Sequence, residues 1–392
     1  MKWLFWGSTA LVGYTYLGYA AWLWLRERLH GRAVRRSPHL PLITIAMVVR
    51  NEEDTLARKL QNLAELDYPA DRVQLVIVSD GSTDSTDEIL RQHACDPGFQ
   101  VITSNQTRGK ASGLNDAIRA AKGEVVVFMD ARQFVEKEAV RLLLENFADS
   151  EVGCASGELM LGDPHSGETA RGMGLYWRIE KKIREMESAS GSVVGATGAI
   201  YAARRELLVP VPPNTILDDV YLPMNIAKQG ARVVFDSRAR AWDSPNLGEK
   251  REFSRKVRTL TGNYQLLQLA PWLLSGENPL RFEFFSHKLL RLVSPFALAT
   301  AFASSGLIDN TLYQIAFAAQ ASFYLLAVLA MAKLKLGPLG RVADPASTFL
   351  NLNVAALVAF TKLVSGQSIA WTSSNVPQTN NSRTPAGQGE RS

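Results

Sequence analysis

The chain has 392 residues, more than one small domain needs at ~150 residues each, and 46% apolar with 21% charged residues excludes a disordered chain. Its formal charge of +5, from 43 basic and 38 acidic residues, is a dispersed excess that excludes a nucleic-acid binder. A mean hydropathy of −0.04 excludes a protein that is membrane throughout, while leaving room for a polar domain joined to apolar ends.

The first segment is apolar. Trp3 to Leu25 contains no charged side chain, and its 23 residues, at ~1.5 Å each, match a ~30 Å hydrocarbon core. Trp3, Trp6, Trp22 and Trp24 lie near its ends, where aromatic rings favour the interface. Residues 1–26 therefore read as a transmembrane helix. Arg26, Arg28, Arg32, Arg35 and Arg36 follow it, against a lone Lys2 ahead. That asymmetry sets residues 27–41 as a basic linker and everything after residue 26 in the cytoplasm.

Residues 42–250 read as one α/β unit with a mainly parallel central sheet. Leu42–Val49, Val73–Ser79, Phe99–Thr103 and Glu124–Met129 are short β-branched runs, hence strands. Helical spacing over Glu52–Glu65, Asp84–Gln92 and Gly113–Ala121 separates them. In such sheets ligands bind at the carboxyl ends of strands, and three of these ends carry polar groups. They are Arg50-Asn51-Glu52-Glu53, Asp80-Gly81-Ser82-Thr83-Asp84 and Asp130-Ala131-Arg132. Asp80 and Asp84 also suit turn formation and helix capping; the three ends together suit a shared cleft. The loop Thr107–Gly113 lacks the P-loop pattern, because Ser104 and Ala111 stand at its Gly and Ser/Thr positions. Lys110, opening a helix, still suits a phosphate or base contact. Cys95 and Cys154, with no CxxC, suit neither a disulfide framework nor structural zinc.

Later segments add softer candidates. Glu158 follows a predicted strand and is a candidate acceptor contact, as are Gly195, Thr197 and Gly198 of a Gly-Ala-Thr-Gly run that lets backbone approach a ligand. Tyr176, Trp177, Ile179 and Ile183, on helical spacing, suit a packing or membrane-facing helix. Residues 251–290 read as basic and interfacial helices, with Phe282, Phe284 and Phe285 among Arg281, His287 and Lys288. Residues 291–371 hold two to three spans: Leu292–Ile308, Thr311–Ala332, and Ser347–Phe360, which suits a span or a re-entrant segment. Residues 372–392, rich in Ser, Asn, Thr, Gln and Gly, read as a disordered tail.

These motifs in this order, continued by Leu217-Asp218-Asp219-Val220 and Arg255-Lys256-Val257-Arg258-Thr259, resemble family-2 glycosyltransferases of the GT-A fold over roughly residues 40–265. The flanking apolar helices resemble the membrane-embedded branch that includes cellulose, chitin and hyaluronan synthases. The resemblance implies a GT-A domain flanked by transmembrane helices, with Asn51, Glu52, Asp80 and Lys110 around a nucleotide. It implies Mg²⁺ or Mn²⁺ at an Asp-x-Asp motif, of which Asp130 is present as metal ligand and Arg132 replaces the second acid. Arginine does not ligate cations but contacts phosphate, so Arg132 is expected to neutralise part of the diphosphate, or Asp130 and the diphosphate to hold the metal alone. A Thr/Glu/Asp-type triplet corresponds to Leu217-Asp218-Asp219, making Asp219 the general base beside Asp218. A Gln-x-x-Arg-Trp motif corresponds to Arg255, Arg258 and Thr259, with Arg255 and Arg258 facing the diphosphate; the run also suits a membrane-surface patch. The missing Trp removes a sugar-stacking platform.

The implied function is an inverting hexosyl transfer from a UDP-sugar to a polysaccharide or lipid-linked saccharide, forming a β-linkage. The implied place is the cytoplasmic face of the plasma (inner) membrane, in contact with membrane lipid. An oligomer or export partner would complete any translocation channel. Two alternatives accompany this reading: a single-sugar transferase to polyprenyl phosphate, and a non-catalytic membrane subunit favoured by Arg132.

Overall fold

In a computed structural model describing residues 1–162, 175–243, 248–334 and 337–366, a mixed α/β domain is set between apolar helices. The expected tail at 372–392 lies outside the described residues. The N-terminal helix starts as α1 (Lys2–Gly13), passes a π-helical turn at Tyr14–Gly18 and continues as α2 (Tyr19–His30). Then come β1 (Ile43–Val49), α3 (Glu53–Ala64), β2 (Val73–Asp80), α4 (Thr86–Gln92) and β3 (Phe99–Ser104). They lead to α5 (Lys110–Ala120), β4 (Val125–Met129), β5 (Phe134–Val135), α6 (Ala139–Leu144) and β6 (Val152–Leu161). The second half holds α7 (Leu175–Ser190), β7 (Ile200–Arg204), α8 (Asp218–Lys228), β8 (Arg232–Asp243) and α9 (Gly248–Leu269). The chain ends in α10 (Arg281–Phe284), a π-helical turn at Phe285–Leu289, α11 (Leu290–Gly306), α12 (Thr311–Met331) and α13 (Gly340–Val364).

The strands form one sheet in the order β3-β2-β1-β4-β7-β6-β8-β5. Its first four strands pair in parallel, as the βα alternation predicts. Beyond β4 the sheet is mixed: β7 runs antiparallel to β4 and β6, β8 runs parallel to β6, and β5 caps the edge antiparallel to β8. The β1 residues are all buried because they alternate between two packed layers. Ala46 and Val48 join Leu114, Phe128, Tyr201 and Val220 on one side. Ile43 and Ile45 face Leu143, Leu144 and Phe147, and Met47 and Val49 face Leu56, Leu60 and Leu90. Helix α5 starts at Lys110, three residues earlier than the apolar spacing suggests, because Gly109, at φ +90°, turns the chain directly into it.

Among the described residues, three helices are long and apolar enough to cross a membrane: Arg281–Gly306, Thr311–Met331 and Gly337–Val364. The segment read as an interfacial approach is thus continuous with the first of them, and the third stretch is a full helix. The N-terminal helix lies against this group. Trp6 donates to the Tyr313 hydroxyl at 3.1 Å, and the Tyr14 and Ser286 hydroxyls meet at 2.9 Å.

Gly123 fixes the entry to β4. A Cβ there would lie 2.4 Å from the Ile43 carbonyl carbon and the Thr44 nitrogen, both rigid backbone. Gly123→Ala is expected to destabilise the domain by about 1–3 kcal/mol. Thermal unfolding would then fall by roughly 2–4 °C per kcal/mol, which differential scanning fluorimetry of the purified chain measures.

Candidate active site

The strand ends and helix starts converge on a cleft of 1010 Å³. Its floor is a group of carboxylates around one ammonium. Asp130 directly follows β4, and Asp218 and Asp219 open α8. Lys110 donates to Asp130 Oδ1 at 3.0 Å and lies 3.4 Å from Asp218 Oδ2. Burial alone would lower the Lys110 pKa, but Asp130, Asp218 and Asp219 outweigh it and raise it well above its ordinary value. Burial, then Asp218, pushes the Asp219 carboxyl up to about 6, with Lys110 pulling against them.

Asp219 is held at two points. Its carboxylate Oδ2 accepts the Gly198 N–H at 3.1 Å, and its carbonyl accepts the Ala196 N–H at 2.7 Å. That carbonyl is free because Pro223, four residues on, has no N–H to offer it. The 195–198 loop is therefore pinned to the start of α8. A Cβ on Gly198 would stand 3.5 Å from both Asp130 Oδ2 and Asp219 Oδ2, so the glycine keeps the gap between the carboxylates open. Thr197 donates its N–H to Ser156 Oγ at 3.0 Å, and Gly195, at φ +140°, accepts from Arg184 at 3.3 Å.

Lys110 owes its place to Asp80. That carboxylate is fully buried, and its two oxygens accept the N–H groups of Arg108 at 2.9 Å and Gly109 at 2.8 Å. Asp80 therefore builds the loop ahead of Lys110 and does not form the cleft wall. Asn51 is also turned to a structural task. It takes a left-handed φ of 53°, and its side chain accepts the Thr83 N–H at 2.8 Å, joining the first two strand-end loops. Glu52 does line the cleft.

Arg132 faces the cleft but is not isolated. It donates to both oxygens of Asp243, at 3.0 and 2.6 Å, in a bidentate pair. Asp243 is buried at the end of β8, and Arg255 reaches the same carboxylate at 3.4 Å. Arg258 lines the cleft with no ion pair among the described residues. Glu158 lies outside the cleft wall: it is buried on β6 and paired with Lys181 at 2.8 Å, because a buried carboxylate needs a cation. Asp243, Arg184, Glu187, Lys288 and Arg291 are cleft or cleft-supporting residues that sequence reasoning missed. Lys288 and Arg291 alone left a signal, as charges inside an apolar run.

Comparison with known proteins finds similar sequences and a similar fold. Residues 44–209 match the profile of Glycosyl transferase family 2. The poly-beta-1,6-N-acetyl-D-glucosamine synthase of Staphylococcus aureus is 25% identical over 209 residues, which is 51% of this chain and 49% of that protein. The beta-monoglucosyldiacylglycerol synthase of Synechocystis sp. is 27% identical over 192 residues, 47% of this chain and 40% of that one. The chain spans about half the length of the curated relatives it matches. A mannosyltransferase from Pyrobaculum calidifontis, solved in complex with GDP-Man and Mn²⁺, superposes with a TM-score of 0.72 at 22% identity, covering 93% of this chain and 99% of its own. That likeness shows the GT-A-like fold.

Replacing Asp80 by Ala would remove the acceptor of two part-buried N–H groups, at roughly 0.5–1.5 kcal/mol each. Asp80→Ala is expected to loosen the 107–110 loop, and limited trypsin digestion should cut at Arg108 or Lys110 several-fold faster than in the unmodified chain.

Proposed function

We propose, from the match of residues 44–209 to the profile of Glycosyl transferase family 2, that the chain transfers a hexose, with inversion, from a UDP-sugar to a polysaccharide or lipid-linked saccharide at the cytoplasmic face of the inner membrane. The observation that carries this reading is Asp219. It stands at the cleft's carboxylate centre with its pKa pushed up to about 6, so it is ionised at neutral pH yet basic enough to take a proton. Among the described residues no donor reaches its Oδ1, which leaves that oxygen for an acceptor hydroxyl.

The chemistry follows from charge placement. The acceptor oxygen attacks the anomeric carbon opposite the diphosphate as its proton passes to Asp219. The anomeric C–O bond breaks, and the electron pair leaves with the nucleoside diphosphate. An α-linked donor then gives a β-linkage. Arg132, Arg255 and Arg258 line the cleft and stabilise the charge that develops on the leaving group. Asp243 keeps Arg132 oriented for this.

The donor set fits a divalent cation held by one carboxylate. Asp130 is 38% exposed, and Gly198 leaves the space beside its Oδ2 open. Among the described residues no group of three or more His, Cys, Asp or Glu is arranged to hold a metal. Diphosphate oxygens and water would supply the remaining ligands. When bound, Mg²⁺ or Mn²⁺ supplies Lewis-acid stabilisation of the diphosphate. The pairing of Arg132 with Asp243 gives that arginine a role inside an intact cleft, which weakens the non-catalytic reading it had favoured.

Asp219→Asn is expected to lower turnover about 10²–10⁴-fold with UDP affinity kept within twofold; turnover is read with a panel of UDP-sugars in lipid. Normal turnover by Asp219→Asn would refute the assignment of the base. In the unmodified chain kcat/KM should fall about tenfold per unit below pH 6, where Asp219 becomes protonated, and be level above it. Lys110→Met removes the cation that holds the Asp219 pKa down, so the midpoint should move to higher pH in whatever activity remains.

A further inference from the structure

The cleft continues past Asp219. It runs between α7 and the π-helical turn at Phe285–Leu289 and reaches Tyr16 of the N-terminal helix and Leu352 and Asn353 of α13. This end is charged, although it adjoins helices of membrane-spanning length. From α7 it takes Glu180, Arg184 and Glu187, and from Arg281–Gly306 it takes His287, Lys288 and Arg291. The N-terminal helix and α13 add only neutral side chains to this wall.

The two carboxylates are already engaged. Glu180 accepts from Arg291 at 2.8 Å and meets His287 Nε2 at 3.0 Å. Burial would raise its pKa, but Arg291 and His287 hold it well below the usual carboxylate range. Glu187 Oε1 meets His287 Nδ1 at 2.7 Å and accepts the Tyr19 hydroxyl at 2.7 Å. Two cations remain without a carboxylate. Arg184 donates to the uncharged Ser156 Oγ at 2.9 Å and Gly195 oxygen at 3.3 Å, and Lys288 has no ion pair or hydrogen bond among the described residues. Arg184 and Lys288 thus carry charge that no direct ion pair neutralises, with Glu180, Glu187 and Asp219 as the carboxylates that share the cleft with them. An ionisable side chain in a membrane-length helix is costly unless something meets it. One acceptor is also unused: Glu187 is 1% exposed, and its Oε2 is buried without a donor.

We propose that this end of the cleft binds the phosphate ester of a membrane-borne acceptor, with Lys288 and Arg184 meeting the phosphate. The acceptor hydroxyl that reacts then lies at Asp219. Lys288 and Asp219 line the same cleft. The proposal rests on the sugar-transfer reading above and specifies which acceptor that reading takes: an anionic lipid rather than a neutral glycan.

Binding by the full chain in micelles of a neutral polyoxyethylene detergent tests it, with dodecyl phosphate, dodecanol and inorganic phosphate as probes and UDP as a separate ligand. Dodecyl phosphate is expected to bind at least tenfold tighter than either of the other two. Lys288→Gln should lose at least fivefold of that preference and Lys288→Arg should keep it, with UDP affinity reporting that each variant is folded. Equal binding of dodecyl phosphate and dodecanol would overturn the proposal. So would inorganic phosphate binding as tightly as dodecyl phosphate, which would mark a site for free anions, or an unchanged preference in a folded Lys288→Gln. Failure of the unmodified chain to bind UDP would instead count against the sugar-transfer reading, independently of the lipid probes.

Discussion

One ammonium holds the site together. Asp130, Asp218 and Asp219 arrive from a strand end and a helix start, and three carboxylates at such range repel one another. Lys110 sits between them, 3.0 Å from Asp130 and 3.4 Å from Asp218. It reaches that point because the preceding loop is folded around a buried carboxylate, Asp80, which takes two successive backbone N–H groups. Gly81, at φ +66°, lets the loop lie against it, since a Cβ there would come within 2.7 Å of the Thr107 nitrogen. The dependence therefore runs from Asp80 to the loop, from the loop to Lys110, and from Lys110 to the ionisation of Asp219.

A second charge balance explains the departure at Arg132. The residue two after Asp130 is basic where the resemblance implies an acid. In three dimensions an acid is nonetheless present, because β8 brings Asp243 to the same edge of the sheet. A buried carboxylate is tolerated only when paired and hydrogen-bonded, and the planar guanidinium of Arg132 meets both of its oxygens. Arg255 joins the pair from α9, so three segments of the chain share one electrostatic unit. The site thus carries its negative charge deep and its positive charge toward the cleft, the polarity that the proposed diphosphate leaving group requires.

Much of this was legible in the sequence because local physics governs it. β-branched runs set β1 to β4 to within a residue or two, and strand-end polar groups mark the cleft. The roles of individual residues were less legible. Asp80 and Asn51 read as ligand contacts, yet their side chains are committed to backbone N–H groups of neighbouring loops. Glu158 read as an acceptor contact, yet Lys181, from a helix whose partner face has no sequence signature, engages it. Asp243 gave no signal because its partner is 111 positions away. Pairings of that range depend on sheet order, and the order changes from parallel to mixed at β7, where no local pattern announces it.

The end of the domain that meets the apolar helices shows what such long-range pairing does. An apolar interface alone would let the catalytic domain slide on the helices, because apolar contact is non-directional. The contacts here are directional. Arg26 pairs with Glu283, Tyr19 and His287 converge on Glu187, and Tyr16 meets Asn353. Each tie joins segments more than 90 residues apart, and a buried polar network is favourable only when every partner is in register. Fixing α7 against the N-terminal helix and against Arg281–Gly306 in this way also fixes the distance from Asp219 to the helix group. A reacting hydroxyl must meet its base within hydrogen-bond reach, so the proposed lipid-held acceptor and the proposed base Asp219 can work together only if that distance does not vary.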